Sequence, residues 1–314
     1  MTGAFQPDVV LVTGGAGFIG SQVAHAIPAD TELIVLDDLS AGDRSAIPDR
    51  ARFIQGDIRD TEVLDRLVPG VDVIFHQAAL VSVEASVADP VSSHVINATS
   101  TLNVLEAARR HEARVVLASS AAIYGDPEYT PIDETHPPSP RSPYGLEKFA
   151  ADHYAQLYHD LYGLETVSLR YFNVYGPTAS NNHYSGVIDI FLGQALAGDD
   201  VTVHGDGSQT RDFVYIDDIV DANLAAATTD HVGAAYNIGT GDAISIRELA
   251  ERVVSLTDMG AGIVHVNGRD GDVARSEADI SKARDRLGFT PQWDLDSGLR
   301  EAIRRRPPPI HTIT

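Results

Sequence analysis

Short, β-branched apolar runs recur through the first half of the chain, each closed by Gly, Asp or Ser. VVLVTG (Val9–Gly14), ELIVLDD (Glu32–Asp38), ARFIQGD (Ala51–Asp57), VDVIFHQ (Val71–Gln77), ARVVLASS (Ala113–Ser120) and ETVSLRYF (Glu165–Phe172) have this form. Short, β-branched runs flanked by turn residues are what buried parallel strands look like. Between several of them lie stretches such as TSTLNVLEAARRHE (Thr99–Glu112), whose apolar and small residues fall near a helical period. Strand and helix in alternation predict an α/β protein with a doubly wound parallel sheet. Later in the chain the rhythm loosens into Gly, Asp and Asn loops, although AAYNIG (Ala234–Gly239) reads as one more strand. We therefore expect a sheet domain over 1–173, a smaller C-terminal lobe over 174–314, and a segment near 211–240 returning to the sheet.

Composition narrows the function classes. The chain has 314 residues, 43% of them hydrophobic, enough to bury a large core. Its 45 Asp and Glu against 23 Lys and Arg give a net charge of −22, a field that disfavours nucleic acid and anionic membranes as partners. Only Lys148 and Lys282 are lysines. Dense carboxylates with little lysine suit a salt-loaded, halophilic cytoplasm, where salt screens their repulsion; codon bias towards arginine is the alternative. No cysteine is present, so disulfides and thiolate chemistry are out, and the 12 histidines lack a metal-ligand spacing. No metal site is expected. No apolar run approaches the roughly 18 residues that span a bilayer, and MTGAFQPD does not read as a leader, so a cytoplasmic protein is expected.

Candidate chemistry falls at the ends of the predicted strands. After the first comes TGGAGFIG, with Gly14, Gly17 and Gly20 three apart and Phe18 and Ile19 opening a helix. Such glycines let the backbone approach a pyrophosphate held at the helix N-terminus, as in a Rossmann dinucleotide site. Asp37, roughly twenty residues on and at the end of the second strand, can hold ribose hydroxyls and favours NAD over NADP. Asp57 and Ile58 follow the third strand and can line an adenine pocket; Gln77, Ala78 and Ala79 follow the fourth, where small residues let a cofactor pass close. In YGLEK, Tyr144 and Lys148 stand one helical turn apart on one face. A lysine cation near the phenol is expected to lower its pKa towards a value useful for proton transfer.

With these motifs on hand, the chain resembles the extended short-chain dehydrogenase/reductase superfamily, specifically UDP-galactose 4-epimerase and its relatives. TGGAGFIG, SSAAIYG, YGLEK, RYFNVYGP, RDFVYIDD and YNIGTG occur in that family's order. The resemblance implies an NAD-dependent epimerase of a UDP-hexose, plain or N-acetylated. In it Tyr144 moves the proton of the sugar 4-hydroxyl, Lys148 supports it electrostatically, and NAD takes a hydride from C4 and returns it to the opposite face. Ser120 resembles the hydroxyl that hydrogen-bonds the sugar oxygen, with capping of the next turn as its alternative. Asn97 resembles a residue supporting the cofactor site, with an ordinary N-cap as its rival. Phe172 and Asn173 match positions that touch nicotinamide and the nucleotide-sugar phosphates. Arg211 and Arg269 match the arginines that grip the diphosphate, Asp272 the ribose ligand, and Val187, Thr202 and His204 other substrate contacts, the last two beside uracil. Ser276 matches the wall beside the C2 substituent, where relatives restricted to plain sugars carry tyrosine. Ala121 and Ala122 stand where dehydratase and decarboxylase relatives place an acid. The family commonly forms homodimers. A dehydratase or reductase of the same superfamily, or a non-catalytic NAD sensor, are the alternative readings.

Overall fold

The computed structural model describes residues 7–177, 186–268 and 271–306. Twelve strands run through them: β1 Val9–Thr13, β2 Glu32–Asp37, β3 Arg52–Gln55, β4 Val73–His76, β5 Arg114–Ser120, β6 Thr166–Tyr171, β7 Asn173–Tyr175, β8 Val201–His204, β9 Thr210–Tyr215, β10 Ala234–Ile238, β11 Ala243–Ser245 and β12 Ile263–Val266. The α-helices are α1 Phe18–Ala26, α2 Thr61–Leu67, α3 Val83–Ala88, α4 Pro90–His94, α5 Ser100–His111, α6 Pro143–Tyr162, α7 Val187–Ala197, α8 Ile216–Thr228, α9 Ile246–Thr257, α10 Ser281–Leu287 and α11 Leu295–Arg305.

Seven strands form one parallel sheet in the order β10-β6-β5-β4-β1-β2-β3. The order reverses between β1 and β4, and a doubly wound sheet opens a ligand crevice at such a point. Alternate residues of β1 show why the strands read as unbroken apolar runs. Val10 and Val12 enter one core with α1 and α8, while Leu11 enters the other with α2 and α5. Both faces are covered, and where polar residues alternate, as Thr166, Ser168 and Arg170 do on β6, they are buried as well. The second half of the chain builds a three-stranded sheet, β11-β9-β7, and a two-stranded one, β12-β8.

The strands match their predicted segments to within a residue or two at each end. The helical stretch ahead of α5 differs more. Asn97 does not precede a helix: α4 passes directly into a π-helical turn, Val95–Thr99, which passes into α5. Single π-turns inside helices are frequent at functional sites. No helix among the described residues is long and apolar enough to cross a membrane.

Candidate functional site

At the end of β1 the chain turns at Gly14, with φ +69°, where a Cβ would come 2.6 Å from the Ala78 backbone; one on Gly20 would meet the Gly14 carbonyl at 2.1 Å. The turn is therefore packed backbone to backbone. Gly17, the N-cap of α1, offers no side-chain cap, which leaves the first-turn amides of Phe18 and Ile19 and the positive end of the helix dipole open to an anion. These residues fit the pyrophosphate of a dinucleotide. Asp37, nearly buried, steadies the same loop: it accepts from Ala16 N at 2.9 Å and Leu39 N at 2.8 Å. Burial pushes its carboxyl up and those amides draw it back. Each oxygen keeps a lone pair for a ribose hydroxyl.

Around this cradle some expectations are corrected. The Asp57 carboxylate pairs with Arg59 of its own loop, with Nε at 2.7 Å, and Ile58 is buried. Asn97 is neither a cap nor a surface ligand. Its side chain accepts from Leu80 N at 2.8 Å and donates to Leu80 O at 3.0 Å and Glu147 Oε2 at 2.7 Å, pinning the loop after β4 to α6. Gln77, ahead of the half-buried Ala78 and Ala79, donates to Asn223 Oδ1 at 3.0 Å, and Asn223 donates to the Tyr171 hydroxyl at 2.8 Å. Asn223 and Tyr171 escaped the sequence reading; an asparagine within the apolar face of α8 was the available signal.

Helix α6 carries Tyr144 and Lys148. Ser142 caps its first turn, accepting from Gly145 N at 3.1 Å, and Pro143 opens it, so Tyr144 sits where the helix emerges beside the end of β5. Lys148 lies 6.0 Å from the Tyr144 ring centre, but its ammonium donates to Ala118 O at 2.9 Å. Burial pushes Lys148 down to about 8, and Glu147 acts against that fall. Tyr144 is shifted up, not down: burial dominates, the Ser120 hydroxyl draws it back, and Glu147 adds to the rise. The expected lowering by Lys148 is thus overturned for this arrangement, because the cation addresses a strand carbonyl and desolvation outweighs it. Ser120 also caps, accepting from Ala122 N at 3.1 Å. Glu147 was missed altogether. It is 3% exposed and accepts from Ser93 Oγ at 2.6 Å.

The other end of the crevice belongs to the second half of the chain. Arg211 donates to Thr210 O and Val273 O, at 2.8 and 2.6 Å, and pairs with Asp272. Two residues assigned to different parts of a substrate therefore hold each other. His204, Gln209 and Asp272 share a cavity of about 220 Å³ with Gly205, Ser208, Gly268 and Ala274. Thr202 is not with them: its hydroxyl and N–H are both engaged by Gln194 of α7, at 3.1 Å. Phe172 is 5% exposed and lies in an apolar cluster with Ile123, Tyr124, Ile132 and Ile280. Asn173 donates to Asp212 O at 2.9 Å. Val187 begins α7 and is half-buried. Ser276, also half-buried, is tied through its N–H to Thr210 O at 3.2 Å, next to Arg211. Arg269 lies outside the described residues.

A profile of the NAD dependent epimerase/dehydratase family matches residues 10–239. The chain belongs to this family. As a family member it is an NAD-dependent enzyme, and the matched residues include the glycine-rich turn described above. The chain is 37% identical over 302 residues to a UDP-glucose 4-epimerase of Mycolicibacterium smegmatis, covering 93% of this chain and 96% of that one. It is 33% identical over 310 residues to a UDP-N-acetyl-alpha-D-glucosaminuronate decarboxylase of Bacillus cytotoxicus, covering 94% and 96%. Among solved structures, a UDP-N-acetylglucosamine 4-epimerase from Methanobrevibacter ruminantium M1, in complex with UDP-N-acetylmuramic acid, superposes with a TM-score of 0.91. The match has 33% identity and covers 96% of this chain and 98% of the other.

Proposed function

We propose that this family member inverts C4 of a UDP-hexose, acting on the UDP-glucose/UDP-galactose pair and on its N-acetylated counterparts. The observation that carries the reading is the group at the end of β5. Ser120, Tyr144 and Lys148 converge there, and the turn after the serine holds Ala121 and Ala122, with no carboxylate. Removing water, or activating a carboxylate for loss, calls for a further acid or base beside the sugar; a C4 oxidation and its reversal do not. NAD supplies the hydride acceptor and donor. Tyr144 moves the 4-hydroxyl proton at its phenol oxygen, and Ser120 holds the sugar oxygen. With its phenol shifted up, Tyr144 rests neutral at pH 7, and a cation must come closer before it serves as base.

The nucleotide end fits the lobe formed by 174–314. The cavity holding His204 and Asp272 is where we place uridine, with Arg211 beside it for the diphosphate. Ser276 leaves room at C2 that a tyrosine would fill, and a packed pocket rejects excess volume at about 1–3 kcal/mol. The test is a panel of nucleotide sugars with products resolved by stereochemistry, run on wild type and Ser276→Tyr. We expect turnover of both pairs by wild type and selective loss of the N-acetyl pair in the variant. Water loss or decarboxylation in the panel removes the epimerase reading; equal effects on both pairs remove the Ser276 assignment.

We further infer a cytoplasmic homodimer. Val87 and Val91, at 62% and 74%, are the most exposed valines of a stripe that continues to Val95, and Leu146 and Leu161 are exposed on the neighbouring α6. Apolar side chains in such a row are covered in most soluble proteins. A monomer by light scattering removes this inference.

A further inference from the structure

Behind the glycine-rich turn lies a polar chain that the proposed reaction leaves unused. Thr13 ends β1, His76 ends β4 and Thr101 lies in the first turn of α5; none is more than 3% exposed. Thr13 Oγ1 is 2.7 Å from His76 Nδ1, and His76 Nε2 is 3.0 Å from Thr101 Oγ1. Those distances alone leave open which ring nitrogen carries the proton. The far end of the chain decides it.

A threonine hydroxyl has one proton to give. Thr101 gives its proton to the Asn97 carbonyl, at 2.7 Å. The opposite choice would leave two oxygens at that distance with no proton between them. Thr101 can then only accept from His76, so the proton is on Nε2 and Nδ1 is a bare acceptor. Thr13 must point its own proton at Nδ1, and its oxygen is free to receive Ala78 N–H, at 3.4 Å. Every bond runs one way: Ala78 to Thr13, Thr13 to His76, His76 to Thr101, Thr101 to Asn97. Bonds aligned head to tail strengthen one another in a low-dielectric interior. A charged ring would bring a second proton against the Thr13 proton. Burial, reinforced by the Lys148 charge, pushes His76 down to about 3, in keeping with a neutral ring.

Both ends of the chain reach the cofactor cradle. Ala78 is the residue whose backbone closes off the Gly14 turn, where an added Cβ would come within 2.6 Å of it. Asn97, at the other end, grips Leu80 by both its N–H and its carbonyl. The stretch from Gln77 to Leu80 is thereby held from two sides, and His76 is the link between them.

We propose that His76 is a positioning residue for the dinucleotide. Fixed as the Nε2–H tautomer, it orients the Thr13 hydroxyl and through it the Ala78 backbone, keeping the ends of β1 and β4 in the arrangement that receives NAD. The proposal rests on the family's cofactor and not on the choice of sugar.

Nitrogen NMR of the intact protein tests the tautomer directly. The expected result is a protonated Nε2 and a bare Nδ1 that do not change across neutral pH, with or without NAD; a proton on Nδ1 overturns the proposal. Two variants test the role. In His76→Asn the amide oxygen can stand near the Nδ1 position and keep the Thr13 proton engaged, whereas His76→Gln reaches the Nε2 position and leaves Thr13 without its acceptor. NAD affinity, measured by calorimetry, should stay within about twofold of wild type in the asparagine variant and weaken about fivefold to tenfold in the glutamine variant, the effect of one hydrogen bond. A role confined to packing would weaken both alike, and equal or reversed losses overturn the proposal. The wild-type spectrum stands whether or not either variant folds.

Discussion

Lys148 and Lys282, the two lysines of the chain, make the same kind of contact: each ammonium donates to a strand carbonyl, Ala118 O at 2.9 Å and Ala235 O at 2.8 Å. Only the first stands by a phenol that the reaction can use. Tyr144→Phe removes the proposed proton carrier and little else, so NAD binding should persist while turnover falls by about 10² to 10⁴; a variant that epimerises near the wild-type rate places the base elsewhere. Lys148 makes a second prediction. Its native pKa of about 8 lies below the unfolded value of 10.5, so the unfolded chain binds more protons between those pH values and the native state gains stability as pH rises through them. Lys148→Met should therefore be more stable than wild type at pH 7 in the cofactor-free protein, with the gap closing towards pH 10; denaturant titrations in which the gap is constant or widens refute this. The nearness of Tyr144 to Lys148 and the tight glycine turn were legible because a fixed local spacing sets both. Glu147 and His76 were not. Their partners lie dozens of positions away, and nothing in the local pattern says which polar residue will be buried.

The strands of the large sheet could be read because burial on both faces leaves a simple apolar signature. The lobe could not, since its organisation depends on a buried carboxylate. Asp212 on β9 accepts from Thr240 N at 2.8 Å, Thr240 Oγ1 at 2.7 Å, Gly241 N at 2.9 Å and Ala278 N at 3.1 Å. It thus ties β9 to the loop after β10 and to the segment just beyond Ser276. Asparagine at 212 would turn an amide donor towards donors, and a buried mismatch of this kind costs about 2–4 kcal/mol. Urea unfolding of Asp212→Asn should show that loss, along with a weaker grip on the nucleotide sugar; unchanged stability would mean these bonds do not organise the lobe. The π-turn before α5 shows the same limit. Its sequence, VINAT, carries no local sign of a widened ladder, and the contacts Asn97 makes there, to Leu80 and Glu147, are long-range.

For the whole molecule, charge sets the conditions of stability. At −22 the folded chain repels itself, and that repulsion fades in molar salt, where the Debye length is about 3 Å. The melting temperature should rise with added potassium chloride; a flat or falling curve favours codon bias as the source of the acidic surface. The order of the large sheet has a consequence of another sort. Its last position is filled by β10, made only after the chain has left β6 and built β7 to β9. Every residue of β6 is buried in the finished protein, and its outer edge is closed by β10 alone. A nascent chain on the ribosome therefore carries an open strand edge until Ala234–Ile238 has emerged, and such edges pair readily with other chains. Synthesis, more than the finished fold, is the stage at which this protein is most exposed to aggregation, and ribosome-bound chains stalled before residue 234 should draw chaperones that those stalled after residue 238 do not.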